Sequence, residues 1–369
     1  MVERENNEMD KSMIKVLVVE DSPVIREFLV HVLSSDPLIQ VIGTASNGEE
    51  ALKAVEQRLP DLITMDIHMP EMGGLEATRL IMETHPTPIV IVSGSSSAKE
   101  VATTLHAMES GAVAFVERPR GIGHPDHAAT AIELVQTVKL MAEVKVVRRW
   151  ARSRRETITT ATRPLAEVIC HPVPGEVQLV AVGASTGGPL VLQTILSGLP
   201  SDYSVPVLIV QHMAAGFIQG FVDWLAPTSA LPIHVAKPGE QIRPGHAYVA
   251  PDGIQMKVEM GGRLSLTEDE PENGHRPSVG YLFRSVARIY GPKAVGVLLT
   301  GMGKDGAEGL KEIKDQGAVT IAQDEDSSVV HGMPGEAIRL EAATYVLPPS
   351  RIAAALANLM NKRSAYEER

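Results

Sequence analysis

Short β-branched apolar runs alternate with amphipathic segments along nearly the whole chain, and this alternation restricts the possible folds more than any other feature. The pattern runs from Lys15 to about Leu140, stops, and resumes at Glu176. Strands that alternate with helices form βαβ units, which build parallel sheets. The 369 residues of the chain are enough for about two domains. We therefore predict an α/β protein with two doubly wound, mostly parallel sheets.

Each half of the chain supplies a set of predicted strands. The strands of the first half are Lys15–Val19, Ile39–Ala45, Leu62–Met65, Ile89–Val92 and Ala112–Val116. The strands of the second half are Val177–Gly183, Val205–Val210, Arg243–Ala250, Lys293–Thr300, Val319–Ala322 and Thr344–Leu347. Ligands of open parallel sheets bind at the carboxyl ends of the strands, so the residues that follow these strands are the first candidates for function.

Composition excludes several classes of protein. Apolar residues make up 44% of the chain and charged residues 21%, which is typical of a globular protein. A net charge of −11 argues against general nucleic-acid binding. The single cysteine, Cys170, excludes an intrachain disulfide. Residues 1–12 lack the apolar core of a signal peptide, and no run of about 18 apolar residues is present, so we expect a cytoplasmic protein without membrane insertion.

A basic run separates the two halves. It contains six cations with no acid between them: Lys145, Arg148, Arg149, Arg152, Arg154 and Arg155. We predict a first domain over residues 13–140, a linker over 141–174 and a second domain over 175–363. The run is interpreted either as a solvated helix end or as a segment that docks on an acidic surface.

Three carboxylates are predicted to meet at one edge of the first sheet. Glu20 and Asp21 follow the first strand, and Asp66 follows the third. Carboxylates crowd together only where a cation or protons neutralise them, and oxygen ligands favour Mg²⁺. Ser93 and Arg118 follow the next two strands, so a hydroxyl and a cation are expected at the same edge.

These residues resemble the receiver domain of two-component response regulators. The resemblance rests on the acidic pair after the first strand, on TMDIHMPEMGG around Asp66, and on the later segments VSG and GAVAFVERP. It implies a flavodoxin-like (βα)5 fold and phosphorylation of Asp66. The implied Mg²⁺ ligands are Glu20, Asp21, Asp66 and the backbone carbonyl of His68. The implied switch residues are Ser93, Phe115 and Arg118. The family has lysine where this chain has Arg118, which keeps the charge but replaces a compact ammonium with a planar fork.

A serine in a glycine-rich turn distinguishes the second half. The segment Gly183–Gly187 reads GASTG and fits G-x-S-x-G, a strand-to-helix turn that exposes a serine hydroxyl and points helix amides at developing negative charge. Alone, the motif also fits a phosphate-binding turn. A nucleophilic Ser185 needs a base, and His212 is the first candidate because it follows a predicted strand. The other candidate bases are His246, His275 and His331.

An orienting carboxylate would complete such a site. Asp305 follows a long predicted strand after a glycine-flanked loop. Its rivals are Asp252, Asp324 and Asp326. The order Ser185, His212, Asp305 along the chain differs from the Ser…Asp…His order of α/β-hydrolases, so the serine motif does not predict that fold.

The second half resembles the catalytic domain of the CheB family of chemotaxis methylesterases. The resemblance rests on AVGASTGGP, VQHM, RPGHAYVAP, GHRPSV, VGVLLTGMGKDGAEGL and HGMP. It implies a Rossmann-like domain in which Ser185 is the nucleophile, His212 the general base and Asp305 its orienter. The implied oxyanion donors are the backbone amides of Met302 and Thr186. The family commonly has aspartate where this chain has Gly280, which changes one contact in the cleft.

Together the two resemblances imply a phosphorylation-activated protein-glutamate methylesterase. Such an enzyme is a serine-type hydrolase that removes γ-methyl esters from chemoreceptor glutamates, with receptor glutamine deamidation as a second implied activity. The implied phosphodonor is a CheA-type histidine kinase. The implied cofactor is Mg²⁺ at the receiver, with none in the esterase site. We expect a monomer that does not bind nucleic acid.

Three other functions fit parts of the sequence. The main alternative is a non-catalytic, phosphorylation-controlled adaptor that binds receptor or kinase, and the complete serine, histidine and aspartate set counts against it. A receiver with a DNA-binding output would need a helix-turn-helix signature, which the sequence lacks. A dinucleotide enzyme would need G-x-G-x-x-G spacing, which the glycines after the strand at 177–183 do not have.

Overall fold

The computed structural model describes residues 13–94, 98–144, 146 and 176–361. Within these ranges the chain forms two compact units, each built on a parallel sheet. The basic run and Cys170 lie outside the described residues, and the predicted domain limits remain predictions. No helix in the described ranges is long and apolar enough to span a membrane.

The first unit has a five-stranded parallel sheet within the described part of residues 13–144. Its strands are β1 (Ile14–Val19), β2 (Ile39–Ala45), β3 (Leu62–Met65), β4 (Ile89–Ser93) and β5 (Ala114–Glu117). Its helices are α1 (Pro23–Ser34), α2 (Gly48–Arg58), α3 (Gly74–Thr84), α4 (Ala98–Ser110) and α5 (His127–Met141). The strand order β2-β1-β3-β4-β5 is flavodoxin-like, which confirms the predicted (βα)5 fold.

Buried apolar strands end at polar residues along one edge of this sheet. Val16–Val19 of β1 and all of β3 are fully buried, as expected for parallel strands covered on both faces. The chain leaves β1 at Glu20 and leaves β3 at Asp66. Because β1 and β3 are parallel neighbours, these acidic residues lie at the same edge.

The second unit has a seven-stranded sheet, every neighbouring pair parallel, and one antiparallel hairpin within residues 176–361. The sheet strands are β6 (Leu179–Ala184), β7 (Val207–Gln211), β8 (Ile233–Val235), β9 (Ala247–Val249), β12 (Ala294–Leu298), β13 (Val319–Gln323) and β14 (Tyr345–Leu347). The hairpin strands are β10 (Gln255–Glu259) and β11 (Arg263–Thr267). The helices are α6 (Gly188–Ser197), α7 (Ile218–Leu225), α8 (Val279–Tyr290), α9 (Ala307–Asp315), α10 (Met333–Arg339) and α11 (Pro349–Asn361).

The strand order of the larger sheet, β14-β13-β12-β6-β7-β9-β8, contains a topological switch point. The chain moves from β6 to β7 and the edge strands on one side, then returns to β12 on the other side of β6. In doubly wound sheets, ligands bind at the carboxyl ends of the strands where the order reverses. The turns that follow β6 and β12 are therefore the expected position of a ligand-binding or catalytic site.

Several elements of the second unit differ from the sequence predictions or were not predicted, among them β8 and the hairpin of β10 and β11. The extended segment predicted over Arg243–Ala250 is a strand only at Ala247–Val249, because Pro244 and Gly245 form a turn in which Gly245 has φ of +69°. Helix α8 was not predicted, although its buried Val279, Leu282, Phe283 and Val286 recur at helical spacing.

Candidate active site

Ser185 directly follows β6, at the turn into α6. Its amide donates to the carbonyl oxygen of Thr300 at 3.0 Å, and the residue is half-buried. Gly187 makes the turn with φ of +80°, at a position where a Cβ would lie 2.6 Å from the Val329 side chain. Only glycine combines that backbone angle with that close approach. The turn thus holds the serine at the carboxyl edge of the sheet, beside the N-terminus of a helix.

His212 follows β7, the strand next to β6, at the same edge. Its amide donates to the carbonyl oxygen of Ala184 at 2.9 Å. The buried Gln211 joins the two strand ends, because its side-chain nitrogen donates to the carbonyl oxygens of Ser185, at 2.9 Å, and His212, at 2.8 Å. The sequence reasoning missed Gln211. Its signal was a polar residue at the buried end of an apolar strand.

His212 and Asp305 are in contact. Nε2 of His212 lies 3.0 Å from Oδ2 of Asp305, and the two side chains are 9% and 1% exposed. The approach is short but is not aligned as a hydrogen bond, and the other ring nitrogen, Nδ1, is buried without a partner among the described residues. Hydrogen bonds of catalytic groups are often poorly aligned in a free enzyme and tighten when substrate binds.

Asp305 is held at the N-terminus of α8. Its carboxylate accepts hydrogen bonds from the Val279 amide at 2.7 Å, the Ser278 hydroxyl at 2.9 Å and the Gly280 amide at 3.2 Å. Asn273 Nδ2 lies 3.3 Å away. A helix N-terminus carries partial positive charge and stabilises a carboxylate. Sequence reasoning missed this support, although Ser278 before an apolar helical pattern is an N-cap signal.

The pKa of Asp305 lies well below its usual range. Burial alone would raise this pKa, but the His212 imidazole, the Val279 amide and the Ser278 hydroxyl outweigh it. The carboxylate therefore stays ionised at neutral pH. An ionised carboxylate at this position can hold the imidazole in one orientation and stabilise the imidazolium.

The other sequence candidates lie elsewhere or make different contacts. His246 precedes β9 and so lies at the opposite edge of the sheet. The ring of His275 stacks on the ring of His212, with centroids 3.9 Å apart. The backbone of His331 pairs with Gly301, in the loop after β12.

The three rival carboxylates also lie apart from this pair or make other contacts. Asp252 accepts a hydrogen bond from the Gly216 amide, and Asp324 accepts one from the Ser327 amide. Asp326 is exposed.

The loop after β12 passes over Ser185. A Cβ on Gly301 would lie 2.6 Å from the Cβ of Ser185 and 2.4 Å from Sδ of Met333, so this approach needs glycine. The backbone amides of Met302 and Thr186 donate to no other group among the described residues. Free amides beside a nucleophile are the groups that stabilise a developing oxyanion.

Gly280 adjoins the Asp305 carboxylate on its other side. A Cβ on Gly280 would lie 3.2 Å from Oδ1 of Asp305 and 2.9 Å from Oε1 of Glu272, and Arg284 forms a two-pronged ion pair with Glu272. A side chain at this position would require the Glu272 carboxylate to shift, and a carboxylate there would add a third negative charge beside Asp305 and Glu272. The glycine is thus matched to the Glu272–Arg284 contact.

The three acidic residues of the first unit form a cluster. Each of Glu20, Asp21 and Asp66 offers an oxygen within 4.8 Å of the others. Burial first, and then the neighbouring Asp66, raise the pKa of Glu20 to about 7, although Arg118 opposes this. Burial also raises the pKa of Asp66. Buried carboxylates that resist ionisation in this way fit a site that a divalent cation neutralises.

The remaining receiver candidates surround this cluster. The Arg118 guanidinium lies 3.2 Å from Glu20 and 3.8 Å from Asp66, so its fork reaches both carboxylates. Ser93 is buried at the end of β4, and its carbonyl accepts a hydrogen bond from the Arg118 amide at 2.8 Å. Phe115 lies half-buried in β5, and His68 is exposed two residues beyond Asp66.

The chain is similar to known proteins over almost its whole length. Residues 180–356 match the family model of the CheB methylesterase, and residues 16–124 match that of the response regulator receiver domain. A protein of Nitrosospira multiformis is 60% identical over 354 residues, covering 95% of this chain and 98% of that protein. A protein of Geobacter metallireducens is 58% identical over 348 residues, covering 94% and 99%. Both are named protein-glutamate methylesterase/protein-glutamine glutaminase.

Proposed function

The chain belongs to the CheB family of chemotaxis methylesterases and carries a response regulator receiver domain, and from this we propose that it hydrolyses glutamate γ-methyl esters of chemoreceptors under the control of phosphorylation. The observation that carries the proposal is the 3.0 Å contact between His212 and Asp305 at the switch point, next to Ser185. We extend the proposal to deamidation of receptor glutamines, because the relatives' names include glutaminase. Because the proposed substrates are the cytoplasmic segments of receptors, we propose that the chain acts in the cytoplasm.

The proposed reaction uses one acyl-enzyme intermediate. Ser185 Oγ attacks the ester carbonyl while His212 accepts the hydroxyl proton. That proton passes to the departing oxygen, methanol leaves, and a glutamyl ester of Ser185 remains. His212 then takes a proton from water, the water oxygen attacks the ester, and the proton returns to Ser185 as the free glutamate leaves. Asp305 holds the imidazole in orientation and stabilises its protonated form.

Two backbone amides are proposed to stabilise the negative charge that develops on the carbonyl oxygen. The free amides of Met302 and Thr186 lie on the two turns that meet at Ser185. The N-terminal dipole of α6 adds to their effect. One donor of this kind contributes a factor of about 10²–10³ to turnover.

Asp66 is the proposed phosphoacceptor of the receiver domain. A CheA-type histidine kinase is the proposed donor. Glu20, Asp21, Asp66 and the carbonyl of His68 are the proposed ligands of Mg²⁺, which would neutralise the carboxylates and the phosphoryl oxygens. Arg118 supplies a further positive charge beside them. Ser93 and Phe115 are proposed to report the phosphorylated state to the rest of the chain.

Phosphorylation is expected to activate the esterase through Asp66. With a small phosphodonor such as acetyl phosphate, wild-type methanol release should rise about 5–150-fold, the usual range for coupling between two sites. Asp66→Asn should show no rise, because an amide cannot form the acyl phosphate. Asp61→Asn, at the opposite end of β3, is the matched control and should respond like the wild type. Activation of the Asp66→Asn protein would contradict this assignment.

Mg²⁺ binding to the receiver is expected to weaken as pH falls below about 7. The raised pKa of Glu20 means that the free site holds a proton there at lower pH, and the cation must displace it. Titration calorimetry should show affinity falling about fivefold from about pH 7 to about pH 6. Glu20→Gln should bind more weakly and with less dependence on pH, whereas the exposed Glu76→Gln should behave as wild type. A wild-type affinity independent of pH would remove Glu20 from the site.

The methylesterase and adaptor functions differ in one measurement. A phosphorylation-controlled adaptor would bind receptor or kinase but release no methanol. Methanol released from methylated receptor by the wild-type chain, and lost in Ser185→Ala, supports the enzyme. Equal release by the two proteins, or none by either, would reject it.

A further inference from the structure

The turn Glu272–His275 lies against the His212–Asp305 pair and has no part in the reaction described above. Its end residues, Glu272 and His275, exchange two backbone hydrogen bonds, of 3.0 and 2.9 Å. Asn273 and Gly274 between them have φ of 52° and 81°. Positive φ at both central residues is the requirement of a type I′ turn, for which Asn-Gly is the preferred pair. We call this segment the cover turn.

The cover turn is fixed at both ends. Glu272 pairs with Arg284, one turn into α8 from the residues that hold Asp305. The fully buried Gln255 of β10 has its side-chain nitrogen 3.4 Å from the carbonyl oxygen of His275 and 3.1 Å from that of Glu270, while its oxygen accepts from the Ser278 amide at 2.8 Å. These contacts tie the turn to the helix and the hairpin that flank the site.

Two side chains of the cover turn reach the pair. Asn273 donates to Oδ1 of Asp305 at 3.3 Å. The rings of His275 and His212 are nearly parallel, with centroids 3.9 Å apart and planes inclined by 8°. Imidazole lone pairs and N–H bonds lie in the plane of the ring. Stacked rings therefore cannot exchange a proton or a hydrogen bond, and His275 meets His212 only through its face.

We propose that His275 is a positioning residue for His212: its ring holds the imidazole of His212 in the plane that faces Asp305 and stabilises the imidazolium that forms during the reaction. This inference rests on the proposed esterase function. An aromatic face attracts a cation, and more strongly where water is excluded. The stack also blocks the rotation that would turn His212 away from the carboxylate.

The charge state of His275 suits this role. Burial first, and then the nearby His212, lower the pKa of His275 to about 4, although Asp305 opposes the shift. His275 is therefore neutral near neutral pH. A neutral ring does not repel the protonated His212, whereas a lysine or a charged histidine at the same place would.

The test compares His275→Ala with His275→Phe in the full chain, with phosphodonor present. Methanol release from methylated receptor gives kcat and KM, and modification of Ser185 by a small sulfonyl fluoride reports activation of the serine without receptor binding. His275→Ala should lower kcat and the modification rate together, by about tenfold, with KM within about twofold of wild type. His275→Phe restores an aromatic face and should recover both rates to within about threefold.

The matched control is His234→Ala. It removes an imidazole ring whose centroid lies 4.8 Å from that of the Tyr248 ring in the same domain, and it should leave both rates unchanged. Three results would overturn the positioning role: unchanged rates in His275→Ala, a rise in KM alone, or a His275→Phe protein as slow as His275→Ala. Thermal unfolding of each variant shows whether it is folded. Absence of wild-type methanol release would instead reject the esterase function, so the two failures are distinguishable.

Discussion

Replacing Ser185 with alanine is expected to lower methanol release by about 10⁶-fold, because the acyl-enzyme route is closed and the three side chains act as one unit. The fold should survive, since Ser185 is only half-buried and the contacts that fix the turn come from backbone groups and from Gly187. Release of methanol from receptor labelled at its methyl ester is the measurement.

The matched control is Ser197→Ala, at the exposed last residue of α6. That variant loses a hydroxyl from the end of the helix that follows the Ser185 turn, and it should keep full activity. A Ser185→Ala protein with activity within about tenfold of wild type would mean that another nucleophile, or direct attack by water, carries the reaction.

Asp305→Asn is expected to lower turnover by about 10⁴-fold, the loss found when a triad aspartate becomes an amide and the imidazole takes the wrong tautomer. The amide nitrogen would also face the donors at the start of α8, where the Val279 and Gly280 amides need an acceptor. We therefore expect a lower melting temperature as well, with about 1–3 kcal/mol lost for a buried donor left unpaired.

Kinetics and melting separate the two effects of this substitution. Activity is measured well below the melting temperature of the variant, so that loss of fold does not enter the rate. Asp315→Asn, at the exposed end of α9, removes a carboxylate of the same segment and should change neither quantity much. An Asp305→Asn protein that melts early but turns over at the wild-type rate would leave Asp305 with a purely structural role.

The position of the site could be predicted from the sequence because it depends on short-range rules. Each buried strand ends at a polar or glycine-rich turn, and parallel neighbours end at one edge of a sheet. The short apolar runs before Ser185 and His212, and before Glu20 and Asp66, were enough to predict both edges. The roles of these residues remain predictions, whereas the α/β fold is confirmed.

The support around the site could not be predicted in the same way because it comes from distant parts of the chain. Asp305 is held by the start of α8, 25 and 26 residues earlier, and by Asn273, 32 residues earlier. No local pattern relates these segments, since the pairing arises only when β12 returns beside β6. The signals that were present, Ser278 before an amphipathic run and the Asn273-Gly274 pair, predict a helix start and a turn but not what they contact.

The central claim is that Ser185 carries the acyl group of the substrate during turnover, with His212 as its general base and Asp305 as the residue that orients His212. The direct measurement is mass spectrometry of the chain after turnover of a methylated receptor peptide is stopped with acid. We predict a glutamyl ester on the peptide that contains Ser185, absent in His212→Ala and removed by hydroxylamine. Methanol release with no acyl group on Ser185, or with the acyl group on another residue, would contradict the account.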